Sequence, residues 1–132
     1  MNRFPGTIKE IKTSGSLSLL KIEVKYILFT TVIIDTPETL PLLKVGYQVH
    51  VIFKESEVVI GKEPLLLSQQ NRIPGKIKSI EEGKILSKVL VETDLGAVTA
   101  LITTNAVSSL QLSKDDEVVA LVKTNEIMLS YD

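Results

Sequence analysis

The stretch Asn71-Arg-Ile-Pro-Gly-Lys-Ile-Lys-Ser-Ile80 decides the fold, because the chain has already begun with Asn2-Arg-Phe-Pro-Gly-Thr-Ile-Lys-Glu-Ile11. A displacement of 69 positions lays Asn2–Glu63 on Asn71–Asp132 without a gap, and roughly a quarter of the pairs are identical. They include Asn2/Asn71, Arg3/Arg72, Pro5/Pro74, Gly6/Gly75, Ile8/Ile77, Lys9/Lys78, Ile11/Ile80, Glu23/Glu92, Thr30/Thr99, Ile33/Ile102, Val49/Val118 and Lys54/Lys123. A match in register over this length identifies a tandem duplication. The expected units are residues 1–65, a divergent first repeat, and 66–132, the second.

Each copy reads as the same series of elements. GKIKSI and ILSKVLVET alternate apolar and polar residues with the period of half-buried strands. Asp94-Leu95-Gly96 is a tight connection in which Gly96 suits a positive φ, and AVTALIT is a third strand. NAVSSLQ predicts a short helix with Asn105 as N-cap; TPETLPLL is its counterpart, with Thr36 as cap and Pro37 at the first helical position. Turns at Lys114–Asp116 and Val45–Tyr47 precede two closing strands in each copy. The expectation is an all-β protein of two tandem five-stranded OB-like barrels, each with a short helix between strands three and four. The apolar linker PLLLSQ is expected to carry the last strand of copy one into copy two.

Composition agrees and removes several classes of function. Of 132 residues, 44% are hydrophobic and only 5% aromatic, which suits an aliphatic β core. Units of about 60 residues bury only about 60% of their unfolded surface, so mutual packing or oligomerisation is expected to complete them. A net charge of −1 with mixed signs is not the basic footprint of a nucleic-acid binder, and stacking platforms need more aromatic residues. The absence of cysteine excludes disulfides, thiolate metal sites and cysteine nucleophiles. No signal peptide is legible, and Tyr26–Ile34 is too short an apolar run to span a bilayer, so the cytoplasm is the expected location. His50 stands alone, and no Ser/His/Asp set, P-loop or carboxylate pair suggests catalysis.

The string from Asn71 through GKIKSIEEG, VTALITTNAVSSLQLSKDDEVVALVK and TNEIML resembles the molbindin (Mop-type, or TOBE) molybdate-binding domain. Copy two covers that pattern end to end, and copy one is recognisable through the repeat. The resemblance implies a double-repeat molbindin: a non-enzymatic, cofactor-free binder of molybdate or tungstate, held between the subunits of a trimer for storage or homeostasis. Carried over residue by residue, it assigns oxyanion contacts to Ser68, Asn71, Thr103, Lys123 and Thr124. Gln70 stands where the family has arginine, and Arg72 and Arg3 are the cations that could replace it. Copy one keeps Lys54 but has Ile34 for the threonine and Glu55 after the lysine. The chemistry is suitable for a tetrahedral dianion, since lysine supplies charge and hydroxyl and backbone N–H groups supply directed donors. The alternative is an oligomeric regulatory or interaction module with reduced or lost anion binding. Neither reading involves nucleic acid or a membrane.

Overall fold

The computed structural model describes residues 1–63 and 66–132. The first repeat supplies β1 (Asn2–Ser14), β2 (Leu17–Val24), β3 (Ile27–Ile33), β4 (Gln48–Phe53) and β5 (Val59–Gly61). The second supplies β6 (Asn71–Glu82), β7 (Leu86–Thr93), β8 (Gly96–Thr103), the helix α1 (Thr104–Ser109), β9 (Glu117–Val122) and β10 (Met128–Ser130). They form two antiparallel five-stranded sheets, ordered β10-β4-β1-β2-β3 and β5-β9-β6-β7-β8.

The sheets do not coincide with the sequence repeats. The last strand of each repeat is exchanged: Val59–Gly61 pairs with Leu121–Val119, and Met128–Ser130 pairs with Ile52–His50. The crossings are short 3-10 turns, Glu55–Glu57 and Thr124–Glu126, each entered from an extended lysine, Lys54 or Lys123. Each turn lands on the third strand of the other repeat. Buried residues of both repeats consequently form a single core, in which Phe53 lies 6.1 Å from Phe4 and 6.3 Å from Phe29 between ring centroids. Strand exchange satisfies the expected need for mutual packing, since neither sheet is complete without the other copy. Of the linker expected to continue a strand, Pro64 and Leu65 lie outside the described residues, and Leu66–Gln70 is not strand.

The repeated motif explains how the two halves are locked. The carboxamide of Asn71 accepts from the backbone N–H of Thr30 (2.7 Å) and donates to its carbonyl (2.8 Å). Asn2 does the same to Thr99, at 2.8 and 2.9 Å. β3 and β8 are sheet edges, with one side of the backbone unpaired. A carboxamide presents one donor and one acceptor in the arrangement of a peptide group, so each asparagine acts as a one-residue strand on the other repeat's edge. Pro5 and Pro74 need no ladder partner for a nitrogen they cannot donate from.

Gly6 and Gly75 permit close approach. A Cβ on Gly75 would lie 2.5 Å from the carbonyl oxygen of Glu92, and one on Gly6 2.9 Å from that of Glu23. Three residues later both long strands bulge, at Lys9 and at Lys78, where the pairing register slips. Each bulge is tied to the turn before the fourth strand: Ile8 donates to Tyr47 and accepts from Gly46, and Ile77 donates to Asp116 and accepts from Asp115. Gly46 and its counterpart Asp115 both adopt positive φ there, 93° and 74°.

Two expectations about helices are corrected. α1 forms between the third and fourth strands of the second repeat, but its N-cap is Thr103, whose Oγ1 accepts from Ala106 N at 3.0 Å, rather than Asn105. In the first repeat the corresponding residues make turns only. Thr36 does cap there, accepting from Thr39 N (3.3 Å) and, through its carbonyl, from Leu40 N (2.8 Å). Pro41 then follows one turn after Pro37; it has no N–H to extend the ladder, and its ring opposes the preceding turn.

Candidate functional site

The register of β6 and β9 assembles most of the candidate residues. Asn71 pairs with Val122, so Lys123 and Thr124 leave β9 beside Gln70 and the linker that precedes it. Arg72 folds that linker back onto the strand: its Nε donates to Gln69 O and its Nη2 to Leu67 O, both at 2.9 Å. Ser68 and Gln70 are exposed on this fold, as is Lys123, while Thr124 is half-buried. The first repeat provides the floor. Thr31 Oγ1 donates to the carbonyls of Thr124 (3.0 Å) and Ile127 (3.3 Å), fixing the 3-10 turn against β3. Asn71 lies beneath, fully buried, with its carboxamide held by Thr30. One end of the molecule thus gathers Ser68, Gln70, Arg72, Lys123 and Thr124.

By the same symmetry, Arg3 and Lys54 lie at a second end, where Phe53 pairs with Asn2. Its electrostatics differ. Glu55 follows Lys54 directly and bonds the Met1 amine at 2.6 Å, which holds the carboxyl below its ordinary range. Arg3 faces Asp132 at 3.6 Å, with both side chains well exposed. Two carboxylates, Glu55 and Asp132, thus stand among the cations of this end.

Thr103 belongs to neither end. It pairs with Leu86, at the far end of the β6–β7–β8 meander from Asn71. Its hydroxyl caps α1, and the next residue, Thr104, is tied to the β6–β7 connection through Gly83 O, Ser87 Oγ and Ile85 O. Ile85, Leu86 and Leu110 are exposed around it, Ile85 at 78%.

Sequence reasoning missed two participants at these ends. Thr31 holds the Thr124 turn from the other repeat, and no local pattern marks such a contact. Glu57 and Glu126 occupy equivalent positions in the two crossing turns. Desolvation, and then the neighbouring carboxyl of Glu126, raise the Glu57 carboxyl above its ordinary range. Here a signal existed, since this glutamate is identical in both repeats and follows each lysine by three positions. Among the described residues no group of three or more His, Cys, Asp or Glu side chains could hold a metal ion.

Residues 67–129 match the family model of the TOBE domain. The fold of the whole chain is that of the cytoplasmic molybdate-binding protein ModG, in a crystal form with molybdate bound: TM-score 0.91 at 24% identity, over 99% of this chain and 96% of that one. MopII from Clostridium pasteurianum aligns at 25% identity over 48% of this chain and 96% of its own, with a TM-score of 0.46. A molybdate-binding protein from Sporomusa ovata aligns at 30% identity over 45% and 88%, with a TM-score of 0.43. Nothing among the curated proteins matches this chain. A TOBE match over the second repeat, and a first repeat that duplicates it strand for strand, lead to one conclusion: the chain belongs to the TOBE-domain family, as a tandem repeat of the Mop type.

Proposed function

We propose that this chain binds molybdate or tungstate at boundaries between copies of itself, for storage or homeostasis of the oxyanion in the cytoplasm, without performing chemistry on it. The observation that carries the reading is the convergence of Lys123 and Thr124 with Ser68, Gln70 and Arg72 at one end of the molecule. Lysine supplies the charge, and serine, threonine and backbone N–H groups supply the directed donors that a tetrahedral dianion needs. Gln70 offers a neutral amide where the family has a guanidinium. A hydrogen bond to a charged group is worth about 1.5–3 kcal/mol, so affinity about tenfold to a hundredfold below an arginine-bearing site is expected. Arg72, whose guanidinium holds the linker through Gln69 O and Leu67 O, is the neighbouring cation at this end.

Thr103 is remote from this end within one chain, so its contribution requires a second copy. The exposed Ile85, Leu86 and Leu110 around it favour such contact, and a trimer is the expected assembly. Among the described residues no helix is long and apolar enough to cross a membrane.

Calorimetry with molybdate, tungstate and sulfate on the wild type and on Lys123→Ala tests the reading. Binding that Lys123→Ala weakens at least tenfold, and Lys54→Ala much less, supports it. Silence from the wild type with all three anions sinks it and leaves the second reading, an oligomeric regulatory module without a working anion site. The Gln70 departure and the carboxylate at the Lys54 end are what favour that alternative. Light scattering should give a trimer, and a clean monomer would rule out sites between copies.

A further inference from the structure

One side chain holds the linker that enters β6. Arg72 Nε donates to Gln69 O and Arg72 Nη2 to Leu67 O, both at 2.9 Å, so two alternate carbonyls of the linker face the same guanidinium. In a planar trans peptide the C=O and the N–H bonded to the same C–N unit point in opposite directions. The N–H that shares a peptide group with Leu67 O is that of Ser68, and the one that shares a peptide group with Gln69 O is that of Gln70. Both therefore turn away from the guanidinium. Ser68 and Gln70 are exposed, and among the described residues neither N–H is engaged in a hydrogen bond.

The residue type matters. A guanidinium is a planar fork whose donors bridge two acceptors at a fixed separation, which a lysine ammonium on its flexible stem does not reproduce. Arg3 holds the same place in the first repeat but faces the Asp132 carboxylate at 3.6 Å, and the Met1 amine ahead of it goes to Glu55. Among the described residues the clamp thus belongs to the Lys123 end, where the pairing of Asn71 with Val122 sets the linker beside Lys123 and Thr124. Two N–H groups in alternate peptide units lie at most about 7 Å apart. Two hydrogen bonds of about 2.9 Å to neighbouring oxygens of one tetrahedral oxyanion bridge that span.

We propose that Arg72 is a positioning residue: it acts on the oxyanion through the linker backbone, turning the N–H groups of Ser68 and Gln70 outward as a pair of directed donors beside Lys123. The pair stands in for the guanidinium that position 70 lacks, with neutral donors in place of a further charge. The inference rests on the anion-binding reading for its ligand, but not for the clamp itself. A hydrogen bond to a charged group is worth about tenfold to a hundredfold in affinity. Releasing the pair should therefore weaken binding at least tenfold even where the charge at position 72 is kept.

Three measurements on the full-length chain decide it. Without anion, nitrogen-15 NMR relaxation should show Ser68 and Gln70 as ordered as β6 in the wild type and distinctly less ordered in Arg72→Lys. Equal order in the two proteins would overturn the clamp. During titration of the wild type with sodium molybdate, the Ser68 and Gln70 amide protons should move downfield as they take up hydrogen bonds. Unmoved amides in a chain that binds molybdate by calorimetry would overturn their role as donors, and this result needs no variant to fold. Calorimetry with sodium molybdate should find Arg72→Lys at least tenfold weaker than wild type, and Arg72→Gln only about twofold weaker again, because the charge it removes acts through water and salt. Wild-type affinity in Arg72→Lys, with the loss confined to Arg72→Gln, would make Arg72 a direct cationic ligand and overturn the positioning role. A wild type that binds no molybdate would defeat the anion reading and the donor role together, while the relaxation result would still judge the clamp.

Discussion

Replacing Asn71 by alanine should be among the most destabilising single changes in this protein, although Asn71 is a polar side chain at the start of a strand. It is 1% exposed, and its partner Thr30 is 6% exposed on an edge of the other sheet. Truncation removes a neutral pair of hydrogen bonds, but the greater loss lies in what remains: the N–H and C=O of Thr30, buried without partners. Each orphaned buried group costs about 1–3 kcal/mol, so the total is about 2–6 kcal/mol. For a chain of this length that corresponds to a fall in melting temperature of roughly 7–20 °C. Asn71→Asp should be no better, because a carboxylate keeps the acceptor but presents no donor, and sets a charge against the Thr30 carbonyl. Asn2→Ala removes the symmetric clamp, but Thr99 is only half-buried, so water can replace part of it and about 1–2 kcal/mol is expected. Urea unfolding followed by circular dichroism measures all three. Asn71→Ala within about 0.5 kcal/mol of wild type, or less destabilised than Asn2→Ala, would refute the surrogate-strand argument.

Gly75→Ala should destabilise more than Gly6→Ala, because its Cβ meets the Glu92 carbonyl oxygen at 2.5 Å whereas the nearest atom to a Gly6 Cβ is a side-chain methyl of Ile22 at 2.8 Å. Overpacking of this kind costs about 1–3 kcal/mol, and thermal melting of the two variants gives the order. Thr103→Ala deletes the α1 cap and should cost about 1 kcal/mol by the same assay, whatever it does to anion binding. Asp116 accepts from Ser113 N at 2.9 Å and faces Lys62 at 3.6 Å, and these contacts hold its carboxyl below the ordinary value of 3.8. A lowered folded-state value stabilises above the unfolded one, so the advantage of wild type over Asp116→Ala should persist at neutral pH and vanish as pH falls through and below 3.8. Denaturant midpoints across pH 2.5–7 test it, and a constant difference would refute it. Finally, because both sheets borrow a strand, unfolding of the wild type should be a single transition, with far-ultraviolet circular dichroism and calorimetry coinciding.

The duplication and the order of strands were legible because they rest on local alternation and on the 69-residue displacement, both of which are properties of the chain itself. Strand exchange was not. Val59–Gly61 and Met128–Ser130 carry the same pattern whether they return to their own sheet or cross to the other, and the direction is set by the turns at Glu55–Glu57 and Thr124–Glu126. The absent helix in the first repeat was half-legible. Thr36 and Pro37 mark a helix start, and Pro41 marks its failure a turn later. Gly6 and Gly75 sit at a close approach, and the bulge follows three residues on, a separation that local alternation does not mark. For the candidate site, the family resemblance grouped Lys123 and Thr124 with Ser68 and Gln70, and the β6–β9 register brings the end of β9 beside Gln70. It could not separate Thr103 from them, because that depends on how far the β6–β8 meander carries the chain.

Strand exchange also accounts for which residues the duplication has kept. A position used in the joint between repeats must satisfy both copies at once: Asn2 serves Thr99 as Asn71 serves Thr30, and both identities, Asn2/Asn71 and Thr30/Thr99, persist. Lys54/Lys123 and Glu57/Glu126, which enter and close the two crossing turns, persist as well. Positions at the outer ends carry no such reciprocal demand. There the copies differ, as with Ile34 against Thr103. The lysines are therefore retained where architecture and anion chemistry overlap, and retention alone does not identify them as ligands. The unequal surroundings do discriminate. Lys123 faces a linker end bearing Ser68 and Arg72, and Lys54 is followed by a carboxylate, so anion affinity should respond to Lys123→Ala far more than to Lys54→Ala. Equal responses would mean that the shared crossing turn, rather than the divergent ends, governs binding.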